Sequence, residues 1–286
     1  MTRPCLAPLP DATPPKQPLP RGATDCHAHV IAPQAEHPFV ANRSYTPPPS
    51  TLAAYRALHA RLGIERAVIV QPSVHGTDNR VTLGAIAGYG PACRGIAVVE
   101  ADCPMEDLRA MDACGIRGVR INMLFAGGIG LEDLEPLARR IAGLGWHLQL
   151  LIDGPTLADQ EARLAPLPVH VVIDHMGHVQ VREGLDQPGF RALRRLVSGG
   201  NSWVKLSGSY RMSHKRPGFE DVVPFAQALI AENPHRMVWR TDWPHPAMQD
   251  FMPDDGALVD ALDTYVRTEA ERTAILVDNP ASLYGF

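Results

Sequence analysis

Eight short apolar runs separated by longer amphipathic stretches constrain this chain more than any other feature. The runs cover residues 23–31, 66–72, 95–100, 118–122, 147–153, 169–174, 203–207 and 237–242. Most are continuously hydrophobic rather than alternating, as strands covered on both faces must be. Between them, apolar residues recur at helical spacing over 51–62, 131–144, 190–196, 222–231 and 254–265, with a weaker pattern over 80–89. Ser50 is placed to cap the first helix, and Gly63, Gly145 and Gly199 to stop three of them. Eight strand–helix alternations without a second compositional zone predict one α/β domain, a (β/α)8 TIM barrel, and 286 residues suit that size. An open doubly wound sheet would call for a glycine-rich phosphate turn after the first strand. His27 and His29 stand there instead. Residues 1–22 are proline-rich and lack apolar periodicity, so they read as an extended arm ahead of a barrel domain over 23–286.

Charge and cysteine usage exclude several classes. A formal net charge of −4 gives no broad electrostatic case for nucleic acid or membrane. No apolar run approaches the ~20 residues that span a bilayer, and the first residues do not follow the secretory-signal pattern. Five cysteines, with no C-x-x-C spacing, fit a reducing compartment rather than a zinc ribbon or disulfide framework. The expectation is a cytoplasmic protein acting on a small molecule, as a monomer or homodimer. Cys26 is a weak nucleophile candidate, because alternation from His27 turns it away from the barrel axis. Only Lys16, Lys205 and Lys215 are lysines; the other basic residues are arginines, which suit bidentate recognition of carboxylates.

In such a barrel the chemistry sits at the C-terminal ends of the strands. The first run carries His27 and His29, two residues apart and so on one side of a strand, where they can hold a metal or polarise a carbonyl. The second ends near Ser73 and His75, candidate donors to an oxyanion. The fourth places Arg120 inside an apolar strand, which suits a substrate carboxylate. The sixth adds His175 as a third imidazole, with His178 in the following loop. The seventh contributes Arg211 as a second carboxylate clamp, and Lys205 as a residue of the barrel layers. The eighth ends in Asp242, a candidate general base, and His245.

These residues carry a resemblance. Thr24-Asp25-Cys26-His27-Ala28-His29, Gln71-Pro72-Ser73, Gly118-Val119-Arg120-Ile121-Asn122, Asp174-His175-Met176-Gly177, Lys205-Leu206-Ser207-Gly208, Thr241-Asp242-Trp243-Pro244-His245 and the terminal Asn279-Pro280-Ala281-Ser282-Leu283-Tyr284-Gly285-Phe286 resemble the amidohydrolase superfamily in its amidohydrolase-2 branch. Within it the chain is similar to pyrone-dicarboxylate lactonases and their sugar-lactone and muconolactone relatives. The resemblance implies a distorted barrel that opens a carboxylated lactone, often without metal. It implies that Asp242 activates water, that His27, His29 and His175 polarise the carbonyl, and that Arg120 and Arg211 bind carboxylate. Ser73 and Tyr45, with His245 and His178, would complete the substrate site. No lysine or glutamate occupies the fifth run, so a two-metal centre is not expected.

Three positions depart from the family pattern. The loop after Asn122 lacks basic residues, Leu151 or a neighbour replaces a tyrosine on the fifth strand, and Arg240 replaces a glycine. Arg240 shares Asp242's face and needs a buried partner: it either pairs with Asp242 or extends a carboxylate pocket. Two alternatives to a cofactor-free lactonase stay open. One divalent metal, zinc or manganese, would sit on His27, His29, His175 and Asp242 for hydrolysis or decarboxylation. A binding barrel without catalysis would have Asp242 silenced by Arg240.

Overall fold

The structure, a computed structural model, describes residues 4–286. Eight strands follow one another around a single sheet in chain order: β1 (Thr24–Ala28), β2 (Arg66–Val70), β3 (Cys93–Ala97), β4 (Ile116–Asn122), β5 (His147–Leu151), β6 (Val171–Ile173), β7 (Ser202–Leu206) and β8 (Met237–Trp239). Each successive pair is parallel. The connections carry helices α1 (Leu52–Leu62), α2 (Arg80–Tyr89), α3 (Met105–Ala113), α4 (Leu134–Ile141), α5 (Gly154–Leu164), α6 (Pro188–Ser198), the short α7 (Ser209–Met212) and α8 (Val223–Glu232). After β8 come α9 (Asp255–Tyr265), α10 (Glu269–Thr273) and α11 (Asn279–Tyr284). This is the predicted (β/α)8 barrel.

Closure between the last strand and the first matters most for the site. Asp242 N–H donates to His27 O at 3.1 Å, and His29 N–H donates to Trp243 O at 2.8 Å. The buried Asp25 carboxylate reinforces the seam. It accepts from Thr241 N–H (3.0 Å) and Thr241 Oγ1 (2.6 Å) beyond β8, and from Tyr55 Oη of α1 (2.9 Å). Hydrogen bonds to an ionised group are each worth about 1.5–3 kcal/mol net, so this single side chain holds three elements together.

β1 is bulged. Its register against β2 runs from Asp25↔Ala67 to Ala28↔Ile69, three residues on one strand against two on the other. The extra residue breaks strict alternation. Cys26 therefore faces inward, packed with Val70, Val172, Trp203, Val238 and Tyr284, and not outward as alternation predicts. Burial pushes its thiol pKa up, so Cys26 is unreactive through desolvation rather than through orientation.

Other boundaries also move. β3 begins two residues before the 95–100 run. The 131–144 pattern is three pieces, with 3-10 turns flanking α4. Thr51, not Ser50, caps α1 by accepting from Ala54 N–H at 3.2 Å; Ser50 bridges to Ile31 instead. Residues 4–22 run without a helix or strand, apart from a bridge of Pro4 to Thr46. Leu6 N–H donates to Met248 O at 2.8 Å, and Thr13 Oγ1 to Asp254 at 2.6 Å. No helix among the described residues is long and apolar enough to cross a membrane.

Candidate active site at the barrel mouth

Two imidazoles from β1 and its extension meet at the C-terminal end of the sheet, with their Nε2 atoms 3.1 Å apart. His29 Nδ1 lies 2.7 Å from Val70 O. Behind His27 is a buried polar layer drawn from three other strands. Lys205 of β7 sits 3.2 Å from His27 Nδ1, Gln149 of β5 sits 3.1 Å from it, and Asp174 after β6 sits 3.3 Å away. Burial lowers the Lys205 pKa to about 8 against the pull of Asp174. Burial likewise drives His27 well below the ordinary imidazole range, with Arg240 adding to the effect, and takes His29 to about 3. These rings are neutral at pH 7.

Asp242 sits at φ 73°, a left-handed conformation that Asp tolerates better than most residues. Its carboxylate is heavily engaged. Oδ1 is 2.7 Å from Arg240 Nη1. Oδ2 accepts from Tyr210 Oη (2.5 Å) and from Arg211 Nε (3.1 Å) and Nη2 (2.9 Å). Burial would raise its pKa, but Arg240 and Arg211 outweigh burial and hold it well below the usual carboxylate range. Of the two outcomes open for Arg240, pairing with Asp242 is the one adopted. The Arg240 guanidinium also contacts the His175 ring, whose Nε2 lies 3.7 Å from Asp242.

The cleft above is lined by His29, Tyr45, Arg120, Phe125, Leu151, His175, His178, Arg211, Asp242 and Pro246. Eight of the ten site residues read from sequence thus converge, His27 lying directly beneath. Ser73 stands behind Tyr45, its Oγ 3.2 Å from the phenol oxygen. Arg120 is loosely held: Nη1 reaches Gln71 O at 3.4 Å, Nη2 reaches Asp174 at 3.6 Å, and Nε has no hydrogen-bond partner. His245 is the second residue outside the cleft. It is fully buried behind Tyr210, with Nδ1 3.1 Å from that phenol and Nε2 3.0 Å from Asp255. It supports Tyr210 rather than lining the cleft. His75 packs on Phe39 and does not line the cleft. Arg211 reaches the cleft, but its guanidinium is occupied by Asp242 and by Pro246 O at 2.9 Å.

Sequence reasoning missed Tyr210 and gave Asp174 no role. Tyr210 adjoins Arg211 on α7, one turn beyond the end of β7. Asp174 is the last residue before the His175 turn, and its neighbours Lys205 and Gln149 read as barrel lining.

Ligand atoms of His27, His29 and Asp242 lie within 4.8 Å of one another, close enough to surround one metal ion. The arrangement does not fit a divalent cation. Arg240 and Arg211 already hold the carboxylate, Arg240 lies on His175, and the Lys205 ammonium backs His27. A metal would enter beside three cations whose side chains are largely buried, where repulsion is less screened than in water.

Comparison with known proteins identifies the family. The amidohydrolase family pattern matches residues 24–286. A 4-sulfomuconolactone hydrolase of Rhizobium radiobacter is 39% identical over 288 residues, covering 99% of this chain and 96% of the relative. A 2-pyrone-4,6-dicarboxylate hydrolase of Comamonas testosteroni is 38% identical over 277 residues, covering 93% and 91%. The crystal structure of a probable 2-pyrone-4,6-dicarboxylic acid hydrolase from Acinetobacter baumannii, with citric acid bound, superposes with a TM-score of 0.82 at 28% identity, covering 93% of this chain and all of the other. With the barrel, the imidazole pair on β1 and the carboxylate after β8 all in place, this chain belongs to the amidohydrolase family.

Proposed function

We propose that this chain is a cytoplasmic lactone hydrolase whose substrate carries two anionic groups. The observation behind this reading is the charge of the mouth. Arg120, Arg211, Arg240 and Lys205 face only two carboxylates, Asp174 and Asp242, while the imidazoles beside them are held neutral. Two positive charges are left over in a buried cleft, and a doubly anionic ligand neutralises them. The relatives act on lactones that bear carboxylate or sulfonate groups, and the Acinetobacter neighbour holds a tricarboxylate.

In this reading Arg120 takes one anionic group directly. The second draws Arg211 away from Asp242, which regains basicity only then. Asp242 accepts a proton as water attacks the lactone carbonyl. His27 and His175 face the developing oxyanion. The ring C–O bond breaks, and the proton passes from Asp242 to the departing oxygen. Arg240 stays on Oδ1 and keeps the carboxylate aimed. Phe125 and Leu151 provide apolar wall against the ring.

The test is turnover across lactones bearing two, one and no anionic groups. Each lost charge-assisted contact is worth about 1.5–3 kcal/mol, so kcat/KM should fall by about 10- to 100-fold per missing anion. Neutral lactones turned over as fast as dianionic ones would exclude the reading.

A further inference from the structure

An ammonium has three N–H donors and no lone pair, so each atom it bonds must be an acceptor. Lys205 Nζ is fully buried and lies 3.0 Å from Cys26 O, 2.6 Å from Gln149 Oε1 and 3.2 Å from His27 Nδ1. The first two are oxygens with lone pairs, and His27 Nδ1 must present one as well. Gln149 repeats the demand. Its oxygen is taken by Lys205, so the group facing His27 Nδ1 at 3.1 Å and Asp174 Oδ2 at 3.0 Å is the amide NH2. Donors from two different strands therefore converge on His27 Nδ1, and the ring proton belongs on Nε2.

His29 gives the complementary assignment. Its Nδ1 lies 2.7 Å from Val70 O, which can only accept, so His29 carries its proton on Nδ1 and leaves Nε2 bare. The 3.1 Å contact between the two Nε2 atoms is then a hydrogen bond donated by His27 to His29. The opposite tautomer of His27 would set two bare nitrogens face to face and turn an N–H against an ammonium. One acceptor competes. Asp174 Oδ1 is 3.3 Å from His27 Nδ1 and 3.5 Å from Lys205 Nζ, farther from each than Gln149 Nε2 and Lys205 Nζ are from that ring nitrogen, at 3.1 and 3.2 Å.

We propose that Lys205, with Gln149, is a positioning residue that holds His27 as its Nε2–H tautomer, so that this imidazole turns toward the mouth an N–H that it gives to His29 here and to the carbonyl of a bound substrate, and withholds the lone pair a divalent metal needs. The catalytic meaning rests on the hydrolase reading above, but the tautomer is measurable without any substrate. Removing the ammonium lets Asp174 capture an Nδ1 proton. His27 and His29 would then turn two bare Nε2 atoms toward the point that the Asp242 carboxylate also faces.

The experiment uses the full chain labelled with 15N-histidine and two-bond 15N–1H correlation, His27 being assigned by the signals lost in His27→Gln. The wild type should give the Nε2–H pattern, and Lys205→Met the Nδ1–H pattern. Zn2+ titration against a chromophoric chelator should find Lys205→Met binding at least about tenfold tighter than wild type. Should Lys205→Met not fold, Gln149→Glu keeps the volume, replaces the amide donor by an acceptor and should move both readouts the same way. An Nδ1–H wild type, or variants that change neither the tautomer nor the zinc affinity, overturns the proposal. Neither readout involves turnover, so failure of the lactonase reading is told apart from failure of this one.

Discussion

Asp242→Asn separates charge from shape at the centre of the site. The left-handed backbone at φ 73° accepts Asn as readily as Asp, and the side chains are nearly isosteric, so the β1–β8 seam should survive. The amide oxygen still accepts from Tyr210 or Arg211, which lie 2.5 and 2.9 Å from Oδ2. Stability should fall, because breaking a buried ion pair costs about 3–5 kcal/mol. The lower end applies, since Arg211 keeps its bond to Pro246 O. Losing the general base should lower kcat by about 10²–10⁴-fold. Binding should move the other way. At an effective dielectric of about 20, one negative charge at about 5 Å from a substrate anion repels it by about 3 kcal/mol. If reorganisation absorbs half of that, a dicarboxylate without an ester bond should bind about tenfold more tightly. Steady-state turnover and calorimetry measure the two quantities separately. A variant with near-wild-type kcat would refute the base assignment, and weaker dicarboxylate binding would refute the charge argument.

Arg120→Met should raise KM for a dianionic lactone about 10- to 100-fold with little change in kcat; a loss confined to kcat would remove Arg120 as a clamp. Gly208→Ala should lose activity while the far-ultraviolet spectrum is kept. The new Cβ would come within 2.6 Å of His175 Nδ1 at a position with φ 73°, so wild-type activity in this variant would show that His175 placement is unimportant. Acid should destabilise the chain from about pH 6.5 downward. His29, His147 and His178 are held neutral with pKa about 3, chiefly by burial, so below 6.5 the unfolded chain binds more protons, at up to about 1.4 kcal/mol per pH unit for each ring. Asp25, Asp174 and Asp242, with folded pKa values below the ordinary 3.8, add a further loss as pH falls through about 4 and below. Urea midpoints at pH 7 and pH 5 check this, and equal midpoints count against it.

The barrel was legible because parallel strands buried on both faces must be apolar without interruption, and that pattern recurs eight times. Strand limits were less legible, because hydrophobicity reports burial and not pairing. Val98 and Val99 extend the third run and are buried, yet they lie beyond the β3 ladder, which starts instead at Cys93. Helix α3 left almost no periodic trace, since Leu108 is its one fully buried residue. Helix α5 is capped by Asp153, whose carboxylate accepts from Thr156 N–H at 3.0 Å; in sequence that residue reads as the end of a strand.

At the site, residue types reveal which groups can meet but not which way each hydrogen bond runs. The His27-Ala28-His29 spacing places two rings on one rim whether they grip a metal or a carbonyl oxygen. What distinguishes those cases is the proton on His27, and the group that governs it is Lys205, 178 residues away and brought close by β7. The bulge in β1 carries the same lesson. One inserted residue turns Cys26 into the barrel, and Lys205 reaches its carbonyl at 3.0 Å from the same ammonium that faces His27. A regular β1 would alter both the carbonyl's direction and the phase of the imidazole against β7. The local irregularity and the buried lysine therefore act as one device, and a chemistry that looks like two histidines in sequence depends on a strand distortion that sequence alternation denies.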